Sequence, residues 1–144
     1  MFNLNLYVMK KIMLLTLFCT ALSFVAKAQP AGLNVYNKTR CYIEVTAWAY
    51  NSVCDDKCPS TTVCLPPGGG YTLLAPCGRP NWQWEFVAVK PVKEDCTDCG
   101  LPQTPVGAPG AICKSYPTRV SSIDHCNCAP FTAGFVNSNT LVMH

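Results

Sequence analysis

The chain is short of charge. Of its 144 residues, 13% are Asp, Glu, Lys or Arg, about half the ~25% of an ordinary soluble domain. It has two histidines, His125 and His144, so chemistry that needs an imidazole base has a single internal candidate. Beyond the N-terminal leader, no segment keeps the apolar period of an amphipathic helix, which excludes helical bundles and alternating βα folds. No Gly-Lys-Ser/Thr follows Gly68-Gly69-Gly70, and that excludes a phosphate-binding loop. No G-x-S-x-G is present, so no serine hydrolase elbow can be read. The apolar run Ile12–Ala26 is fifteen residues long, short of the ~20 that span a bilayer.

That run belongs to an export signal. Lys10 and Lys11 precede it, and Ala26-Lys27-Ala28 supplies the small residues before a cut. The pattern predicts removal of residues 1–28 and a mature chain beginning at Gln29. The expected location is secreted or periplasmic, with no membrane insertion after cleavage. Met9 is an alternative start. Cys19 follows Leu17 and Phe18, where a lipoprotein signal has small residues, so soluble export is the reading.

Of eleven Lys and Arg, Lys10, Lys11 and Lys27 leave with the leader, and the remaining eight face eight acids, a net charge of zero. A nucleic-acid or anionic-membrane partner needs an electrostatic footprint that this domain lacks.

Cysteine, by contrast, is abundant. Ten follow the leader: Cys41, Cys54, Cys58, Cys64, Cys77, Cys96, Cys99, Cys113, Cys126 and Cys128. In an exported chain this density predicts a scaffold of about five disulfides in one domain, residues 29–144. Spacing does not fix the pairing. Five cysteines lie in each half, and five is odd, so full pairing requires at least one bridge between the halves.

The strongest local pattern is Cys41–Tyr50, in which Cys41, Ile43, Val45, Ala47 and Ala49 alternate with Tyr42, Glu44, Thr46, Trp48 and Tyr50. Period two means a half-buried strand. Leu33–Asn37 reads as a shorter strand joined to it by a hairpin turn at Lys38-Thr39-Arg40. Asn37-Lys38-Thr39 is a formal glycosylation sequon, read here as a turn. Asn51–Cys64 is expected to be a polar loop ending in a strand fragment, Val63–Leu65. Pro66–Gly70 reads as a turn, and Tyr71–Ala75 as the next strand.

Trp82–Val89 is the second strong strand. Strict alternation places Trp82, Trp84, Phe86 and Ala88 on one face, with the indoles against the small Ala47 and Ala49. Residues 91–113 are expected to be a cross-linked loop. Ser115–Ile123 holds one more strand, and Thr132–Val136 with Thr140–Met143 forms a closing hairpin.

Four constellations bear on chemistry. Cys96-Thr97-Asp98-Cys99 matches a redox C-x-x-C, but its acidic flanks oppose a lowered thiol pKa. Cys96, Cys99, Cys126, Cys128 and His125 offer zinc ligands, but the second pair is too tightly spaced for a knuckle. Ser121, Ser122 and Asp124 crowd His125 too closely in sequence to form a triad alone. Glu44 and Glu85 are the carboxylates a small hydrolase would use. No catalytic residue, metal or cofactor is assigned from these. The remaining candidate is a binding face: Tyr42, Glu44, Thr46, Trp48 and Tyr50, three aromatics with a carboxylate and a hydroxyl.

Leu33–Tyr50 followed by Pro67-Gly68-Gly69-Gly70 loosely resembles the secreted thaumatin-like β-sandwiches over about a quarter of the chain. The chain is shorter and has fewer cysteines than that family, and no site residue is carried over. The sequence therefore predicts an all-β fold, a small antiparallel β-sandwich or open barrel. Its expected function is a binding module for a glycan or an extracellular protein. The alternatives are a Glu44/Glu85 hydrolase, or a structural or effector protein without a small-molecule site. Oligomeric state is not specified.

Overall fold

The computed structural model describes residues 32–75, 77, 82–126 and 128–144. The expected signal segment, and the turn residues between Cys77 and Trp82, lie outside them. Ten strands account for the regular structure, and no helix occurs among the described residues. They are β1 (Leu33–Asn37), β2 (Ile43–Tyr50), β3 (Lys57–Pro59), β4 (Val63–Leu65) and β5 (Gly70–Leu73), then β6 (Gln83–Pro91), β7 (Thr104–Gly107), β8 (Arg119–Ile123), β9 (Phe131–Asn137) and β10 (Thr140–Met143).

The strands form two five-stranded sheets. One has the order β5-β1-β10-β9-β8, with β1 and β10 parallel; the other runs β3-β2-β6-β7, with β4 also on β2. Strand β2 is the centre of the second sheet. It pairs with β6 on one edge, and with β3 and β4 at its two ends on the other. Its apolar set is the inner one: Ile43, Val45, Ala47 and Ala49 are fully buried. They join Leu33, Val35 and Leu73, and Leu141 and Met143, in one continuous core drawn from both sheets.

Three expectations need correction. The first two strands do not form a hairpin: β1 pairs with β5 and β10, whereas β2 lies in the other sheet. Asn37 makes this crossing. Its buried Nδ2 lies 2.6 Å from the Cys41 carbonyl, 3.1 Å from that of Leu65 and 3.0 Å from that of Pro66. Its Oδ1 accepts from the Thr39 amide and hydroxyl. The side chain thus ties the β1–β2 crossing to the β4–β5 crossing, where the Gly69 amide closes the turn on Pro66 and Gly68 has φ +72°, the left-handed geometry that favours glycine.

The second correction concerns β6. Trp48 is opposite Phe86 but Ala49 is opposite Trp84, so Glu85 is an extra residue, a β-bulge. A one-residue insertion exchanges the faces beyond it. Trp84 therefore faces inward beside Ala49, as expected. Val87 and Val89 take the inner positions farther on, opposite Ala47 and Val45. Phe86 and Ala88 belong to the other face.

The third correction concerns segments read as loops or as a longer strand. Lys57–Pro59 and Thr104–Gly107 are short strands inside expected loops, and of Ser115–Ile123 only Arg119–Ile123 is strand. The closing β9–β10 hairpin forms as expected.

All ten cysteines among the described residues are paired: Cys41–Cys128, Cys54–Cys113, Cys58–Cys77, Cys64–Cys96 and Cys99–Cys126, with Cα separations of 5.3–6.2 Å. Three of them join the two halves, as parity requires. Five disulfides in a chain of this size belong to an oxidising compartment. Two of them tie a short strand to a connecting segment, Cys58 of β3 to Cys77 and Cys64 of β4 to Cys96, and the other three join residues outside the strands.

Candidate functional site

Outward side chains of the second sheet follow from the register. Opposite Lys90, Ala88 and Phe86 on β6 stand Glu44, Thr46 and Trp48 on β2. Trp48 and Phe86 stack with ring centroids 6.0 Å apart and planes 15° from parallel. Tyr50 lies 6.5 Å from Phe86, and Tyr116 meets Phe86 edge-on at 5.0 Å. None of these four rings belongs to the buried core cluster. Trp48 and Phe86 are half-buried, Tyr116 is exposed and Tyr50 is buried. The Lys57 ammonium sits 5.3 Å from the Trp48 ring centroid, a cation–π contact at the edge of the row.

Tyr116 reaches this row because Gly107 admits the backbone that carries it. The Gly107 amide donates to the Pro117 carbonyl at 2.9 Å, and a Cβ on Gly107 would stand 2.3 Å from the Tyr116 carbonyl oxygen. Only a residue without a side chain allows that approach.

Of the five residues expected to form a binding face, Trp48 and Tyr50 are brought together with Phe86 and Tyr116. The other three are not. Thr46 is buried and shares a 2.8 Å hydrogen bond with Thr62. Glu44 lies opposite Lys90, which forms a 2.7 Å ion pair with Asp98. That hydrogen bond raises the Lys90 pKa and lowers that of Asp98. Tyr42 lies at the far end of the strand, where its carbonyl accepts from His125 Nε2 at 2.8 Å.

Glu85 is fully buried, yet every lone-pair direction it needs is served. Oε1 accepts from the Ile112 amide and the Gln83 side chain, both at 3.0 Å; Oε2 accepts from the Cys113 and Lys114 amides at 2.8 and 3.0 Å. Burial pushes its pKa up, but the bonds donated by Ile112, Gln83, Cys113 and Lys114 outweigh this and hold it below the ordinary value. Its carboxylate anchors the segment leading to Tyr116. It is also far from Glu44, whose partner Lys90 stands five residues along β6. At ~3.3 Å per residue that is ~17 Å, well beyond the ~5–9.5 Å of glycosidase pairs.

The other constellations are dispersed as well. Cys96 and Cys99 bond to Cys64 and Cys126 instead of to each other. Donor atoms of Cys41, Cys128 and His125 lie within 4.8 Å of one another, but the two sulfurs are joined in a disulfide, and zinc requires thiolates. Phe86 and Tyr116 are the site residues the sequence reading missed. The acid Glu85 within an apolar strand was the one available sign of the bulge that turns Phe86 outward.

No protein-family model, no curated protein and no solved structure matches this chain. Its chemistry must be read from its own residues.

Proposed function

We propose that the protein is an exported, disulfide-stabilised β-sandwich that serves as a binding module, recognising a glycan chain or a protein surface through the Trp48–Phe86–Tyr116 row. The observation that supports this most is the position of the rings. Trp48, Tyr50 and Tyr116 each contact Phe86 on the outer side of a sheet whose inner side already supplies the core, and grouped apolar surface outside the core marks an interaction site more often than scattered residues do. Aromatic faces offer apolar area to a sugar ring or a partner side chain, and the Tyr116 hydroxyl and the Lys57 ammonium add polar handles. Trp48, Tyr50 and Phe86 are carried by paired strands and the Tyr116 segment is held by Glu85 and Gly107, so little ordering entropy would be lost on binding.

A parallel screen of the oxidised domain against a glycan array and a panel of extracellular proteins tests this reading. Saturable binding to a ligand in either set supports it. A screen without binders, or binding indifferent to loss of the rings, removes it.

A further inference from the structure

A second feature lies where β6 begins, at the end of the β2–β6 pair that also carries Tyr50. Trp82, Gln83 and Trp84, with Pro109 and Gly110 and with Ser138 and Asn139 of the β9–β10 turn, line an open cleft of about 260 Å³. We infer that this cleft is a binding site for one uncharged, polyhydroxylated ring, a neutral sugar residue.

The lining chemistry selects the ligand. Both tryptophans line the cleft and are 7% exposed, most of each belonging to the core. Around them stand two amides and a hydroxyl, and among the described residues no charged side chain lines the space. A carboxylated or phosphorylated ligand would lose its hydration without gaining a countercharge. Sugar hydroxyls both donate and accept, matching Asn and Ser, and their C–H faces match indole. The volume is just under the ~300 Å³ at which pockets begin to enclose whole drug-sized ligands, which suits a single ring.

The walls are preorganised. Asn139 donates its amide to Asn137 Oδ1 at 3.1 Å and accepts at its carbonyl from the Asn34 amide at 2.9 Å. On the other wall, the Ala108 amide donates to the Glu85 carbonyl and the Ala111 amide closes the turn on Ala108. Gln83 is oriented by the bond from Nε2 to Glu85 Oε1, so Oε1 is the acceptor it offers. The same bulge that turns Phe86 outward thus also braces this cleft.

The protein has three tryptophans, and removing Trp48 leaves two that both line the cleft. Emission of a Trp48→Ala protein therefore reports on the cleft alone, whatever the outer face does. It is titrated with methyl glycosides of glucose, galactose, mannose, xylose and N-acetylglucosamine, and with the glycoside of glucuronic acid as a charged control. The expected result is a saturable emission change with at least one neutral glycoside and not with the uronide. Adding Asn139→Ala or Ser138→Ala, substitutions in a surface turn, is expected to weaken it about tenfold, as for one lost hydrogen bond, with an unchanged melting temperature. The inference is overturned if no neutral glycoside produces a saturable change, if the uronide binds as well, or if both turn variants leave the response intact.

Discussion

The carboxylate of Glu85 and the backbone amide of Cys113 meet at 2.8 Å across twenty-eight residues of sequence. That contact sits at the junction of both candidate sites. It fixes the 112–114 segment, which leads on to Tyr116 in the outer row, and the 108–111 turn beside it walls the tryptophan cleft.

Replacing Glu85 by Gln puts an NH2 group against backbone N–H donors, and should cost about 2–4 kcal/mol. Because the folded pKa is held low, the carboxylate's contribution is fully present above the unfolded value of ~4.3 and lost as pH falls through the lowered folded value. Melting curves of wild type and Glu85→Gln should therefore be well separated at pH 7 and converge in acid. A separation that does not shrink would show that ionisation of Glu85 is not what stabilises the loop.

Asn37→Asp changes one side-chain atom but removes the donor facing three carbonyls. A loss of about 2–3 kcal/mol is expected from the unsatisfied oxygens, measured by denaturant unfolding. Thr39→Ala, which loses only the hydroxyl contacts, should cost less.

Gly107→Ala should displace the Tyr116 segment, because the added methyl meets a carbonyl oxygen and not a flexible side-chain end. We expect about 1–3 kcal/mol of destabilisation. Ligand binding at the outer row should weaken even where the variant is fully folded.

The Cys54–Cys113 bridge closes a loop with a sequence separation of 59. The double Cys→Ser variant should lose about 4 kcal/mol by the chain-entropy argument. Since Cys113 also donates to Glu85, combining this variant with Glu85→Gln should cost less than the sum of the two. Strict additivity in that cycle would mean that bridge and carboxylate hold independent segments.

Much of the architecture was legible because period-two alternation is a strong signal when the strand is long. The β2 inner set, Ile43 to Ala49, is buried as read, and the β9–β10 hairpin forms where its turn residues stand. Short strands carry too few residues for a period, so Lys57–Pro59 and Thr104–Gly107 looked like loop. The β1–β2 turn gave no sign of crossing between sheets, because what commits it is Asn37 reaching Leu65 and Pro66 far along the chain. The outer row was half legible: Trp48 and Tyr50 follow from alternation, whereas Phe86 depends on one inserted residue. Tyr116 depends on a tertiary approach to Gly107 that has no local pattern.

The outer row is tested most directly by Trp48→Ala. The half-buried indole lies outside the core cluster, so its removal should leave the melting temperature within a few degrees of wild type. Affinity for the glycan or protein found in the screen should fall at least about tenfold. Retained affinity in a folded Trp48→Ala domain for a ligand that the Ser138 and Asn139 substitutions do not weaken, or loss of affinity only together with unfolding, would contradict the account.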